Sequence, residues 1–142
     1  MKLFIRLFFL IITPILVFAQ QASKHYKISI VAFYNLVNFY DTTNNPIVND
    51  DDFTLNGIKH YNNNIYQDKI NNLAKVIGLI GTDYSIDGPA ILGVAEIEND
   101  TVLNDLIHHP ILKKRHYQIV HFDSKDIRGI DVALLYLSLI HI

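Results

Sequence analysis

The sequence has 142 residues, half of them hydrophobic and 18% charged, which suits one modest domain and excludes a wholly disordered or low-complexity chain. Twelve Lys and Arg stand against fourteen Asp and Glu, a formal charge of −2, so net charge offers no general attraction to nucleic acid. There is no cysteine, which excludes disulfides and leaves packing or a bound metal to supply stability.

The positive mean hydropathy arises at the amino end. Met1, Lys2 and Arg6 surround the start of an apolar run that continues to Phe18, and Val17-Phe18-Ala19 puts small or modest residues before Gln20-Gln21. This is the pattern of a cleaved secretory signal over residues 1–19. As an uncleaved membrane anchor the run is short, and Pro14 interrupts it. Cleavage after Ala19 leaves 123 residues carrying ten basic and fourteen acidic side chains, a formal charge of −4. The expected protein is secreted or periplasmic and keeps no stable membrane anchor.

A polar linker over 20–26 leads into one domain over 27–136. Lys27 to Phe33 is rich in β-branched and apolar residues, which predicts a buried strand with Asn35 at its carboxyl end. Asp41 to Asn64 carries Asn44-Asn45-Pro46, Asp50-Asp51-Asp52, Asn56-Gly57 and Asn62-Asn63-Asn64, which predicts a long surface loop bordering a site. From Ile65, apolar Tyr66, Ile70, Leu73, Val76, Ile77 and Ile80 recur at three- and four-residue steps, the mark of an amphipathic helix closed by Gly81. Ala90 to Ala95 reads as a second buried strand that delivers Glu96 near its end. A shorter helix starts near Asp100-Thr101 and runs towards Pro110. Tyr117–Phe122 and Ile130–Tyr136 are two further strands, separated by a polar turn from Asp123 to Gly129. This order predicts an α/β domain with helices packed on a sheet. Residues 137–142 extend an apolar strand with no turn or cap, the expected mark of truncation with a non-native tail.

Two strands thus end in a polar residue, Asn35 and Glu96. If the strands are neighbours, an amide oxygen and a carboxylate converge at one sheet edge, a hard-oxygen set suited to Mg²⁺ or Mn²⁺. The bland alternative is that Asn35 closes a turn and Glu96 caps the helical region that follows.

Val31-Ala32-Phe33-Tyr34-Asn35-Leu36-Val37-Asn38-Phe39-Tyr40-Asp41 resembles the opening strand motif of the endonuclease/exonuclease/phosphatase superfamily, in particular its secreted bacterial branch. Gly93-Val94-Ala95-Glu96-Ile97-Glu98-Asn99 is similar to that group's second motif, and Asp123 to Tyr136, with Arg128-Gly129-Ile130-Asp131-Val132-Ala133, to its third. The resemblance implies a four-layer DNase I-like α/β sandwich, of which this chain is the first half. It also implies a divalent-metal-dependent phosphoesterase, a nuclease or phosphodiesterase first of all, acting by metal-assisted attack of water. Carried over, Glu96 binds Mg²⁺ (or Mn²⁺), Asn35 supports that metal or the scissile phosphate, and Asn38 and Arg128 contact substrate. Arg128 has a structural alternative, a pair with Asp126 or Asp131. His121 is read as a strand residue rather than the catalytic base. The partner is a phosphate ester, with nucleic acid, lipid and small esters all open.

The family's Gly-Asp-x-Asn and terminal Ser-Asp-His motifs do not occur in the sequence. Those motifs hold the nucleophilic water, so the chain by itself is expected to be inactive. The other class of reading is a secreted, non-catalytic binding module on the same scaffold.

Overall fold

Four strands and two helices occupy residues 28–138, the residues that the computed structural model of the protein describes. The predicted signal over 1–19, the linker over 20–26 and the last four residues lie outside them. In chain order the elements are β1 (Ile30–Phe39), α1 (Asn63–Leu79), β2 (Pro89–Ile97), α2 (Asp100–His108), β3 (Tyr117–Phe122) and β4 (Asp131–Leu137). The sheet runs β1-β2-β4-β3, with β1 and β2 parallel and the other two pairs antiparallel.

The parallel pair needs a crossover, and α1 supplies it. Asn62 opens α1 by accepting from the backbone N–H groups of Asn64 and Ile65, and Gly81 follows its end with φ of 70°. Arg115 caps the far end, donating to the Ile77 and Gly78 carbonyls at 3.0 and 2.7 Å. The helix buries Tyr66, Ile70, Leu73, Ala74 and Ile77, while Val76, expected inside, is 42% exposed. Ile70, Leu73 and Ile77 contribute roughly 1.5–3 kcal/mol each on burial, before ordering entropy is subtracted. Asn99 caps α2, whose Val102, Leu103, Leu106 and Ile107 join the same core. Tyr66 links the two helices by donating its hydroxyl to Asp105 at 2.8 Å.

Alternation on the strands decides which side of the sheet this core covers. Leu36, Leu92, Val94, Ala133 and Leu135 face the helices and are buried. The alternate residues Val31, Phe33, Phe122 and Val132 are 49–72% exposed. The strand around Phe33 is therefore not buried on both faces as the composition predicts, because helices cover one side only. One sheet with helices on one face is the partial α/β sandwich that the element order implies.

Other boundaries also shift. β1 continues past Asn35 to Phe39, and β4 includes Leu137, paired with Tyr117, so the expected tail begins inside a strand. The segment after β1 is less superficial than its composition implies. Asp50 and Tyr61 are buried within it, and Phe53 stacks on Tyr40 with ring centres 4.1 Å apart.

Candidate active site

β1 and β2 are in register through Tyr34↔Val94 and Asn35↔Ala95, then pair again only at Phe39↔Ile97. Three residues of β1 therefore stand opposite one residue of β2, Glu96. Val37, Asn38 and Glu96 all have positive φ, at 54°, 57° and 59°. Such backbone costs of order 1–3 kcal/mol per residue and persists only where neighbouring contacts enforce it.

The contacts that enforce it converge on the Glu96 carboxylate. Asn35 Nδ2 donates to Oε1 at 2.9 Å, and the backbone N–H of Asn38 donates to Oε2 at 3.0 Å. The Asn35 amide is itself oriented, since its Oδ1 accepts from Val37 N–H at 2.7 Å. The two predicted residues do meet, but through the amide nitrogen. The Asn35 oxygen expected to face a metal is turned to its own loop, so the turn-closing alternative is also realised. The other half of that alternative fails, because the cap of α2 is Asn99 and not Glu96.

Lys69, placed by the helical pattern among the polar positions, completes the bend. Its ammonium donates to the Val37 carbonyl at 2.6 Å. Partial burial lowers its pKa, and the nearby Glu96 charge opposes that shift. No motif pointed to Lys69; only the spatial closeness of α1 to the β1 bend reveals it. Asn38 reaches Glu96 through its backbone.

Arg128 sits on the β3–β4 connection, which is braced on its inner side. Tyr40 donates its hydroxyl to the Arg128 carbonyl at 2.7 Å, and Asn49 N–H donates to the Ile127 carbonyl at 2.8 Å. Gly129 has φ of 66°, and a Cβ there would lie 2.6 Å from Val48 Cγ2, so the close approach of the long loop requires glycine. Arg128 donates through Nε and Nη2 to Asp126 at 3.0 and 2.7 Å, choosing one of its two predicted structural partners. This pairing pulls the Asp126 carboxyl down to about 2 and raises the guanidinium. Glu96 adds a weaker attraction to Arg128, which places the two groups within electrostatic reach.

Glu98 follows Glu96 closely and has a different setting. Only 8% exposed, it accepts from the Asp41 backbone N–H at 2.7 Å. Burial pushes its carboxyl up to about 7, opposed by that N–H and helped by the Asp41 and Asp50 charges. Tyr40 and Tyr61 are each raised to about 12, chiefly by burial.

His121 lies on β3, as expected, with Nε2 2.9 Å from Asp131 Oδ2 and Nδ1 3.2 Å from Asp100 Oδ1. No curated protein and no solved structure matches the chain. Residues 30–141 match the model of the Endonuclease/Exonuclease/phosphatase family, from the first strand through the Arg128 loop and β4. The family generally hydrolyses phosphate esters and is typically dependent on a divalent metal. The matched span holds the Glu96 cluster as well as the Arg128 loop, and the chain belongs to the endonuclease/exonuclease/phosphatase family.

Proposed function

We propose that the chain carries the metal-holding and phosphate-orienting half of a secreted phosphodiesterase whose cation is Mg²⁺ or Mn²⁺. The observation that carries this reading is the Glu96 carboxylate held between Asn35 Nδ2 and Asn38 N–H. Two donors fix its orientation without exhausting it, since a carboxylate offers about four lone-pair sites. The donor set is oxygen and anionic, which fits a hard divalent cation. Glu96 is the residue that would hold it. When bound, the ion neutralises phosphate oxygens and stabilises charge developing on the leaving oxygen.

The protein's own groups do the rest. Asn35 positions the carboxylate through its amide instead of ligating through its oxygen. Arg128 spends Nε and Nη2 on Asp126, which holds the planar fork in place and leaves Nη1 for a phosphate oxygen. The Lys69 ammonium, bonded to the Val37 carbonyl of the strained bend and within electrostatic range of Glu96, adds positive charge where a phosphate approaches. The −4 charge predicted for the mature chain argues that nucleic acid, if it is the substrate, is held by these local groups.

Proton abstraction from water is assigned to a Ser-Asp-His histidine outside these 142 residues. The test uses two proteins: the 142-residue chain, and a longer product of the same gene carrying both absent motifs. Each is titrated with magnesium against bis-p-nitrophenyl phosphate and plasmid DNA. The longer protein is expected to hydrolyse and its Glu96→Gln variant to fail, with the short chain showing little turnover. Equal hydrolysis by the longer protein and its Glu96→Gln variant removes Glu96 from the mechanism. A gene that stops soon after residue 142 supports a non-catalytic binding module instead.

A further inference from the structure

A second group of ligating side chains lies apart from the Glu96 cluster, around His121. β3 and β4 are antiparallel with His121 opposite Ala133, which puts His121, Asp131 and Asp123 on one face of the hairpin end. His121 Nε2 is 2.9 Å from Asp131 Oδ2 and 3.9 Å from Asp123 Oδ1. Donors 2 Å from a tetrahedral ion are ~3.3 Å from one another, and the two observed separations bracket that spacing.

The other ring nitrogen of His121 is held as well. Nδ1 faces Asp100 Oδ1 at 3.2 Å, at the first turn of α2. A carboxylate on the far nitrogen is the usual device that fixes the tautomer and orientation of a metal-ligating histidine. Asp131 is oriented too: its Oδ1 accepts from Ser124 N–H at 2.6 Å, leaving Oδ2 for the histidine side. His121 and Asp131 are nearly buried, with side chains 12% and 10% exposed, whereas Asp123 is 93% exposed. Two ligands are thus pre-arranged and one closes from solvent. An open groove of about 1020 Å³, lined in part by Asp100, His121 and Asp123, gives a path of entry.

We propose that His121, Asp123 and Asp131 form a binding site for one transition-metal ion of the zinc class, with Asp100 as the positioning residue behind His121. Nitrogen in the set disfavours Mg²⁺ and Ca²⁺ and suits Zn²⁺, Co²⁺ or Mn²⁺. Three carboxylates around one imidazole leave an excess of negative charge that a divalent ion balances. Three protein ligands leave a fourth position open, as in sites that bind water or substrate. The site is independent of the phosphodiesterase reading, since it uses none of the residues placed around Glu96.

The test is made in the Glu96→Gln background, so that Glu96 contributes no metal binding. Zn²⁺ is titrated calorimetrically, and Co²⁺ is followed by its visible ligand-field absorption, with millimolar Mg²⁺ present throughout. One Zn²⁺ per chain is expected, with Co²⁺ giving the absorption of a nitrogen- and oxygen-ligated ion. Asp123→Asn should weaken binding at least about tenfold, and its exposure means the fold is not at risk. Asp100→Asn should weaken it about 10–100-fold, the usual range for a ligand-orienting partner. His121→Ala should abolish it. Binding that is indifferent to Asp123→Asn and His121→Ala places the ion on other surface histidines and overturns the site. No binding at all also overturns it, and leaves His121 as a ring held among carboxylates by hydrogen bonds alone.

Discussion

Glu96 and Glu98 are separated only by Ile97, and each accepts a backbone N–H from the segment after Asn35, Glu96 from Asn38 within the bend and Glu98 from Asp41 beyond it. Glu96 is partly exposed, sits on positive-φ backbone and is shared by two donors from β1. Glu98 is buried, carries a carboxyl raised to about 7 and holds the start of the long loop through Asp41 N–H. The difference shows where strain is spent. Around Glu96 the backbone is strained where two β1 donors meet a partly exposed carboxylate, whereas at Glu98 the cost is desolvation and the return is loop order. On the function proposed above, the first carboxylate belongs to the site and the second to the scaffold.

The largest expected effect separates the two by activity. In a longer gene product that carries the two absent motifs, Glu96→Gln should lower kcat/KM at least about a thousandfold, a loss of ~4 kcal/mol of transition-state stabilisation. Glu98→Gln should stay within about threefold, because Gln reproduces the protonated form and can still accept from Asp41. Steady-state kinetics on both variants checks this. Comparable losses would erase the distinction between the two carboxylates.

Stability against pH separates them next. The unfolded Glu98 carboxyl ionises at its ordinary value of 4.5, and the folded one at about 7. Between those values the native state holds the extra proton, so stability should fall as pH rises and become flat above about 7. The full loss is at most about 3 kcal/mol, and Glu98→Gln should remove it. Urea midpoints of the two proteins across pH 4.5–7.5 measure the effect. A parent whose stability rises over that range would contradict the buried setting of Glu98.

Asn35→Ala is expected to come third. It removes one donor from Glu96 and leaves Asn38 N–H in place, so activity should fall about 10–100-fold, with the apparent magnesium affinity weakened alongside. A loss in kcat with magnesium affinity unchanged would move Asn35 from positioning the carboxylate to contacting the phosphate.

How much of this the sequence shows depends on whether a feature is local. β3 has the predicted ends because its alternation and flanking turns agree. The meeting of Asn35 and Glu96 was legible from two apolar runs that each end in a polar residue, conditional on the strands being neighbours. The three-against-one bulge was not, since a valine at positive φ contradicts its own propensity and is imposed by contacts from α1 and β2. The burial of Glu98 and Asp50 was hidden for a similar reason: charged residues in turn-rich composition predict solvent, and only the third dimension brings the core to them. The bare face holding Phe33 was hidden because a run covered on one side has the same composition as a run covered on both.

Lys69 offers the smallest and most selective probe of the contrast. Lys69→Met keeps the stem along the helix and deletes the bond to the Val37 carbonyl together with the charge that Glu96 feels, so the expected loss is about 1 kcal/mol in urea unfolding. That loss should be independent of the proton on Glu98, because Lys69 braces the β1 bend and Glu98 the loop after it. Combining Lys69→Met with Asn35→Ala should cost less or more than the sum, since both act on one bend, whereas combining it with Glu98→Gln should be additive. Additivity with Asn35→Ala and coupling with Glu98→Gln would mean the strain is shared along β2. The two glutamates would then be parts of one network.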